Sequence, residues 1–155
     1  MTTDMVNHPP HYSEHPSGIE CIEITELMPF HLGNAFKYVF RAGKKHDAIE
    51  DLNKAMWYVN RAIISQPTWA YSSLSMPSPA IKAVLQRDGK RISRAETNVH
   101  KRSAQARILE AYCCDSYDEF YDLLEQALEA IGEMINGLGN TDKKESGQQS
   151  LDLDD

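Results

Sequence analysis

Between His31 and Ala42, Leu32, Phe36, Val39 and Phe40 fall at i, i+4, i+7 and i+8, the spacing that gathers apolar groups on one face of a helix. Further on, Ile49, Leu52, Met56, Val59 and Ile63 alternate in threes and fours, a seam suited to packing on another helix. The punctuation agrees with both. Gly43 stands where a left-handed cap is wanted, and Arg41, Lys44 and Lys45 suit the negative end of a helix dipole. Asp47 is a good N-cap, with Glu50 at capping-box spacing, and Gln66-Pro67 is the expected stop. Two helices joined by so few residues predict an antiparallel hairpin.

Elsewhere the pattern is thinner. "NHPPHYSEHPSG" carries prolines and a glycine that block helix, so residues 1–18 are expected to form an extended arm, with a short helix from Ile19 to Met28 before Pro29. "QPTWAYSSLSMPSP" is expected to be linker or loop. Residues 80–114 should be helical in pieces, broken at Asp88-Gly89. Ser116, with Glu119 three residues on, opens a long amphipathic helix through Phe120, Leu124, Ala127, Ile131 and Met134 to about Leu138, where Gly137 and Gly139 mark its end. No strand alternation occurs. The expected fold is all-α: residues 1–65 the arm and hairpin, 66–115 a basic linker and helical segment, 116–140 the C-terminal helix and 141–155 a disordered acidic tail. A hairpin cannot bury its seam alone, so a helical-bundle homo-oligomer with sites near subunit contacts is expected.

Composition changes this picture little. A chain of 155 residues, 41% hydrophobic and 25% charged, can bury a real core. No apolar run approaches the ~20 residues that span a bilayer, and the start has no leader character; the expected compartment is cytoplasm. Three cysteines, two of them adjacent, read as free thiols. Charge is more telling. The net of −7 divides into −2 over residues 1–65, +6 over 66–108 and −11 over 109–155, so the basic middle and acidic end are expected to neutralise each other within a chain or between subunits. Nucleic-acid binding is disfavoured because no aromatics are interleaved with the Lys/Arg cluster.

The polar faces of the hairpin carry the candidate chemistry. Asn34, Lys37, Tyr38 and Arg41 form one stripe, and Asp51, Lys54, Tyr58 and Arg61 a second. Cations there could hold a phosphate, which needs several charge-assisted donors, and phenols could wall a base. The spacing equally fits solvated surface with scattered ion pairs. His8, His11 and His15 lie among prolines without the accompaniment of a metal site; the arm is expected instead to fold over the hairpin, with His11 and Tyr12 reaching a ligand.

Four blocks in order, "VNHPPHY", "GIECIEI", "GNAFKYVFRAGKK" and "EDLNKAMWYVNRAI", resemble the SaV-like family of small bacteriophage proteins, a domain of unknown function whose frequent description is nucleotide kinase. The resemblance covers roughly residues 6–64 and falls on Asn7, Pro9, His11, Tyr12, Glu20, Glu23, Gly33, Asn34, Lys37, Tyr38, Arg41, Gly43, Lys44, Lys45, Asp51, Lys54 and Tyr58. It implies a nucleotide site drawn from Asn7, His11, Tyr12, Asn34, Lys37, Tyr38, Arg41, Lys44, Lys45, Asp51, Lys54 and Tyr58, with His11, Lys37 and Arg41 as the catalytic candidates. The segment from Gln66 onward has no counterpart.

Three functions compete. The first is a nucleotide-binding phosphotransferase acting on (deoxy)nucleoside monophosphates, with ATP as donor and no sequence requirement for Mg²⁺. No G-x-x-x-x-G-K-[S/T] loop is present, so the lysines and Arg41 would supply the electrostatic stabilisation. The second is a non-catalytic phage protein that sequesters a nucleotide signal or engages a host defence protein, in the host bacterial cytoplasm. The third is an all-α pyrophosphohydrolase holding Mg²⁺ on Glu20, Glu23 and Glu26 with Glu50 and Asp51, ranked lower for want of a second E-x-x-D pair.

Overall fold

The computed structural model describes residue 12 and residues 14–44, 47–69 and 76–149, the side chains of 66–69 and 141–149 excepted. Among the described residues six helices follow one another: α1 (Cys21–Thr25), α2 (Phe30–Arg41), α3 (Ala48–Trp69), α4 (Pro79–Ala95), α5 (Val99–Cys113) and α6 (Tyr117–Gln149). No strand occurs among the described residues, as expected of an all-α chain.

The hairpin forms as the periodicity predicts. Leu32, Phe36, Val39 and Phe40 on α2 and Leu52, Val59 and Ala62 on α3 are fully buried. The turn is built from the expected parts. Gly43 takes φ +83°, a region open to glycine without strain, and the Asp47 carboxylate accepts from the Glu50 amide at 3.0 Å. Pro29 is the N-cap of α2, whose first residue, Phe30, is one ahead of the expected start.

The rest of the chain closes over the hairpin. α6 packs along α5 and against α3, α5 packs against α2, and α4 rests chiefly on α5. The apolar face of the C-terminal helix is therefore spent within the chain: Leu124, Ala127 and Ile131 are fully buried in the core shared with Phe36 and Leu52. The Ser116 hydroxyl caps α6 as expected, accepting from the Glu119 amide at 3.2 Å.

Other boundaries also differ from the sequence reading. α1 covers only Cys21–Thr25 of the expected Ile19–Met28. α3 passes through Gln66-Pro67 to Trp69, since a proline in the last turn removes one backbone donor and leaves the earlier turns intact. α4 is unbroken at Asp88-Gly89. A Cβ at Gly89 would lie 2.8 Å from Leu109 Cδ1, so this glycine marks the close crossing of α4 on α5. Asp88 is held there by Arg87 at 2.8 and 2.9 Å. The real break is at Glu96–Asn98, where the Asn98 side chain caps α5 by accepting from the Lys101 amide at 2.9 Å. Finally, α6 runs to Gln149, beyond the expected end at Leu138 and into the segment expected to be disordered. Two glycines cost a helix about 1 kcal/mol each, and the Lys, Glu and Gln residues that follow are good helix formers. Residues 150–155 lie outside the described residues.

Candidate functional site

Stripe geometry on α2 and α3, two helices packed side by side, decides which polar groups can meet. Arg41 is the centre. Its Nε donates to Asp51 Oδ2 at 2.9 Å, its Nη2 donates to the other carboxylate oxygen, and its Nη1 donates to Tyr12 Oη at 3.0 Å. This fork spans α2, α3 and the arm. Asp51 is only 4% exposed, so the pairing is largely screened from water. The Asp51 bonds push the guanidinium pKa further above its already high value. Burial raises the Tyr12 phenol against the opposing pull of Arg41.

Tyr38 lies amid the cations. Its ring stacks on Tyr58 with centroids 5.8 Å apart and planes 14° off parallel. Lys37 Nζ stands 4.7 Å, Arg41 Cζ 5.0 Å and Lys54 Nζ 5.8 Å from its centroid, distances at which a ring quadrupole attracts a cation. Lys37 donates to Asn34 Oδ1 at 2.8 Å, and Asn34 in turn donates to the Phe30 carbonyl. Burial and the neighbouring Arg41 lower the Lys37 pKa. Lys54 pairs with Glu50 at the exposed edge. The aromatic run extends beyond the sequence prediction: Phe30 and Trp57 both meet Tyr58 edge-on, at 5.9 and 4.9 Å. Both stay open to solvent, at 68% and 58% exposure.

Lys44 turns toward a different set of neighbours. Its Nζ lies 4.6 Å from the Phe40 centroid, is buried, and finds no hydrogen-bond acceptor among the described residues. Its surroundings include Lys101 and Glu96 from the segment after the hairpin. Burial, then Lys101, lowers its pKa. Lys101 is itself buried; its Nζ donates to the Ala42 carbonyl at 3.0 Å and stands 3.7 Å from Glu96. His15 completes the group, 3.9 Å from Glu96, with its ring against Phe40. Beneath both sets lies Cys21, 2% exposed. Lys37, Lys44 and Arg41 pull the thiol pKa down, but burial wins and pushes it up to about 12, so Cys21 packs as an apolar group.

Of the sequence-predicted site, Tyr12, Lys37, Tyr38, Arg41, Asp51, Lys54 and Tyr58 therefore converge, Asn34 orients Lys37, and Lys44 sits at the junction with α5. Asn7, His11 and Lys45 lie outside the described residues. Trp57, adjacent to Tyr58, and Phe30, one turn before Asn34, were legible as ring partners; Lys101 and Glu96 carried no signal. All but Glu26 of the acids of the Mg²⁺ reading are otherwise engaged. Glu23 closes a capping box with Glu20, Asp51 holds Arg41 and Glu50 holds Lys54. Among the described residues no group of three His, Cys, Asp or Glu could hold a metal. Among the same residues no helix is long and apolar enough to cross a membrane.

Residues 6–60 match a domain family described as a protein of unknown function, DUF3310. The match takes in α1, α2 and the first part of α3 and stops inside that helix. No curated protein and no solved structure matches the chain.

Proposed function

We propose that the hairpin binds the phosphate of a nucleotide, and that it does so without turnover. The observation that carries the reading is a local excess of positive charge. Among the described residues, the cations Lys37 and Arg41 on α2 and Lys44 just beyond it have a single carboxylate hydrogen-bonded to them, Asp51 on Arg41. Lys37 is bonded to a neutral amide, and the Lys44 ammonium is buried with no acceptor among the described residues. A buried, unpaired cation is costly, and a bound phosphate would relieve that cost through charge-assisted bonds. The exposed faces of Trp57 and Phe30, backed by Tyr58, would serve as the base platform.

The resemblance to the SaV-like phage proteins supports a phage origin and a nucleotide ligand, and it would extend to phosphoryl transfer. The geometry favours holding over transfer, because the Arg41 fork is already occupied by Asp51 and Tyr12. Sequestration of a nucleotide in the cytoplasm of an infected host is then the role.

Titration calorimetry with nucleoside mono- and triphosphates tests the reading, followed by chromatography of the recovered ligand. The expected result is binding, with unchanged nucleotide returned and at least a ~10-fold loss in Lys37→Gln, as for removal of one charge-assisted bond. Formation of ADP from ATP and a nucleoside monophosphate would restore the phosphotransferase reading. No binding by any nucleotide would end both.

A further inference from the structure

The sequence led us to expect the basic middle and the acidic end to neutralise each other, and within the chain they scarcely do. Among the described side chains only Lys82–Asp115 and Arg107–Glu110 pair across the two segments. Arg87 and Arg91 are turned back on Asp88. Lys90 and Arg94, on the same outward side of α4, are exposed and have no ion-pair partner among the described residues. On α6, Asp118, Asp122, Glu125 and Glu129 fall at i, i+4, i+7 and i+11, one continuous stripe. All four are exposed, and among the described residues none is in an ion pair. Like charges at helical spacing destabilise each other. Among the described residues the acidic stripe and the basic edge are each left without a counter-charge.

Between them lies a receptive shape. α4 and α5 enclose a groove of about 330 Å³ floored by Leu85, Gly89, Ala106 and Leu109, with Lys90 on its rim. Gly89 forms part of that floor. Glu119, next to Asp118 at the start of α6, borders the same groove, so the first turn of the acidic helix adjoins the groove. Tyr121, 41% exposed, stands beside Asp122 and Glu125 on α6.

We propose that this surface is an interface between two copies of the chain, in which the Tyr121-bearing acidic face of α6 from one copy docks on the α4–α5 groove and its Lys90/Arg94 edge in the other. Because the groove adjoins the start of the stripe, one two-fold axis makes both contacts at once, as a closed dimer requires. A nucleic acid would meet the carboxylates beside the groove and be repelled, which leaves a chain carrying the same two complementary faces as the better partner. The proposal does not rest on nucleotide binding.

Sedimentation equilibrium of the full chain at 50 and 500 mM NaCl, with designed charge reversals, tests it. The expected result is twice the chain mass at low salt and dissociation at high salt, since exposed complementary charges are screened. K90E/R94E and D118K/D122K, each checked for native helicity by circular dichroism, should each weaken self-association at least 10-fold. Mixed one to one, the two variants should dimerise again, because each reversed face meets its new complement. A monomeric wild type at 100 µM overturns the proposal. So does a wild-type-like dimer in either folded variant, or a mixture of folded variants that fails to associate.

Discussion

Asp51→Asn isolates the Arg41 fork, because it keeps the shape of the side chain and one acceptor while removing the charge. Breaking a fully buried ion pair by altering one partner costs about 3–5 kcal/mol, and a hydrogen bond to a charged group is worth about 1.5–3 kcal/mol. Here Asp51 is 4% exposed, but the Arg41 side chain keeps 15% exposure and a second acceptor in Tyr12. Solvent and Tyr12 can thus take up part of the lost interaction, which puts the expected cost near the lower range, at ~2 kcal/mol. For a chain of this length that corresponds to a fall in Tm of about 4–8 °C. Urea denaturation followed by far-UV circular dichroism at pH 7 measures it, with Arg41→Met and the double variant completing a cycle. A coupling energy below about 0.5 kcal/mol would refute the account and make the fork an ordinary surface pair. The same variant separates stability from binding. Released from Asp51, the guanidinium should take inorganic phosphate more tightly even as the fold weakens.

Other outcomes follow from single positions. Both amide atoms of Gln105 are buried without a partner among the described residues, so Gln105→Met should raise stability by about 1 kcal/mol, read as a higher urea midpoint at unchanged slope; a lower midpoint would show that the amide is satisfied after all. Gly43→Ala should cost about 1 kcal/mol from the backbone alone, because an added Cβ there meets nothing within 4 Å. Gly43→Asn should cost less in the same denaturation series. His15, facing Lys44, Lys101 and Glu96, has its pKa lowered from 6.5, chiefly by burial. The unfolded chain therefore protonates first, and the stability His15 confers is full above about pH 6.5 and declines as pH falls toward its folded value. His15→Gln should flatten that part of the stability–pH curve, and an unchanged slope would remove His15 from the account.

How far the sequence could be read depended on whether a signal was local. The hairpin was legible because its caps and spacings act within a few residues: Asp47 on Glu50, Gly43 after α2, and Leu32 through Phe40 on one face. The convergence of Lys37, Tyr38, Arg41, Asp51 and Tyr58 was legible as two stripes, since packed helices must bring such faces alongside. The continuity of α4 was not. Asp88-Gly89 reads as a breaker until α5 is known to cross there, with Leu109 close against the glycine. Nor was Lys101, which in "NVHKRSAQARI" looks like solvated surface and instead reaches the Ala42 carbonyl 59 residues away. Contacts of that kind belong to the tertiary fold and leave no periodic trace.

The Lys101–Ala42 bond has a consequence for where the module ends. The carbonyl that closes the first helix of the hairpin is satisfied by a side chain from outside the matched segment, and the cavity walled by Ala42 and Leu52 is walled on its other side by Met134 and Leu138. A polypeptide that carried the 6–60 segment without such a continuation would have to recruit another surface, whether a different appendage or a neighbouring subunit, to shelter Leu52 and cap that carbonyl. The stretch defined by similarity is thus only part of this chain's folding unit.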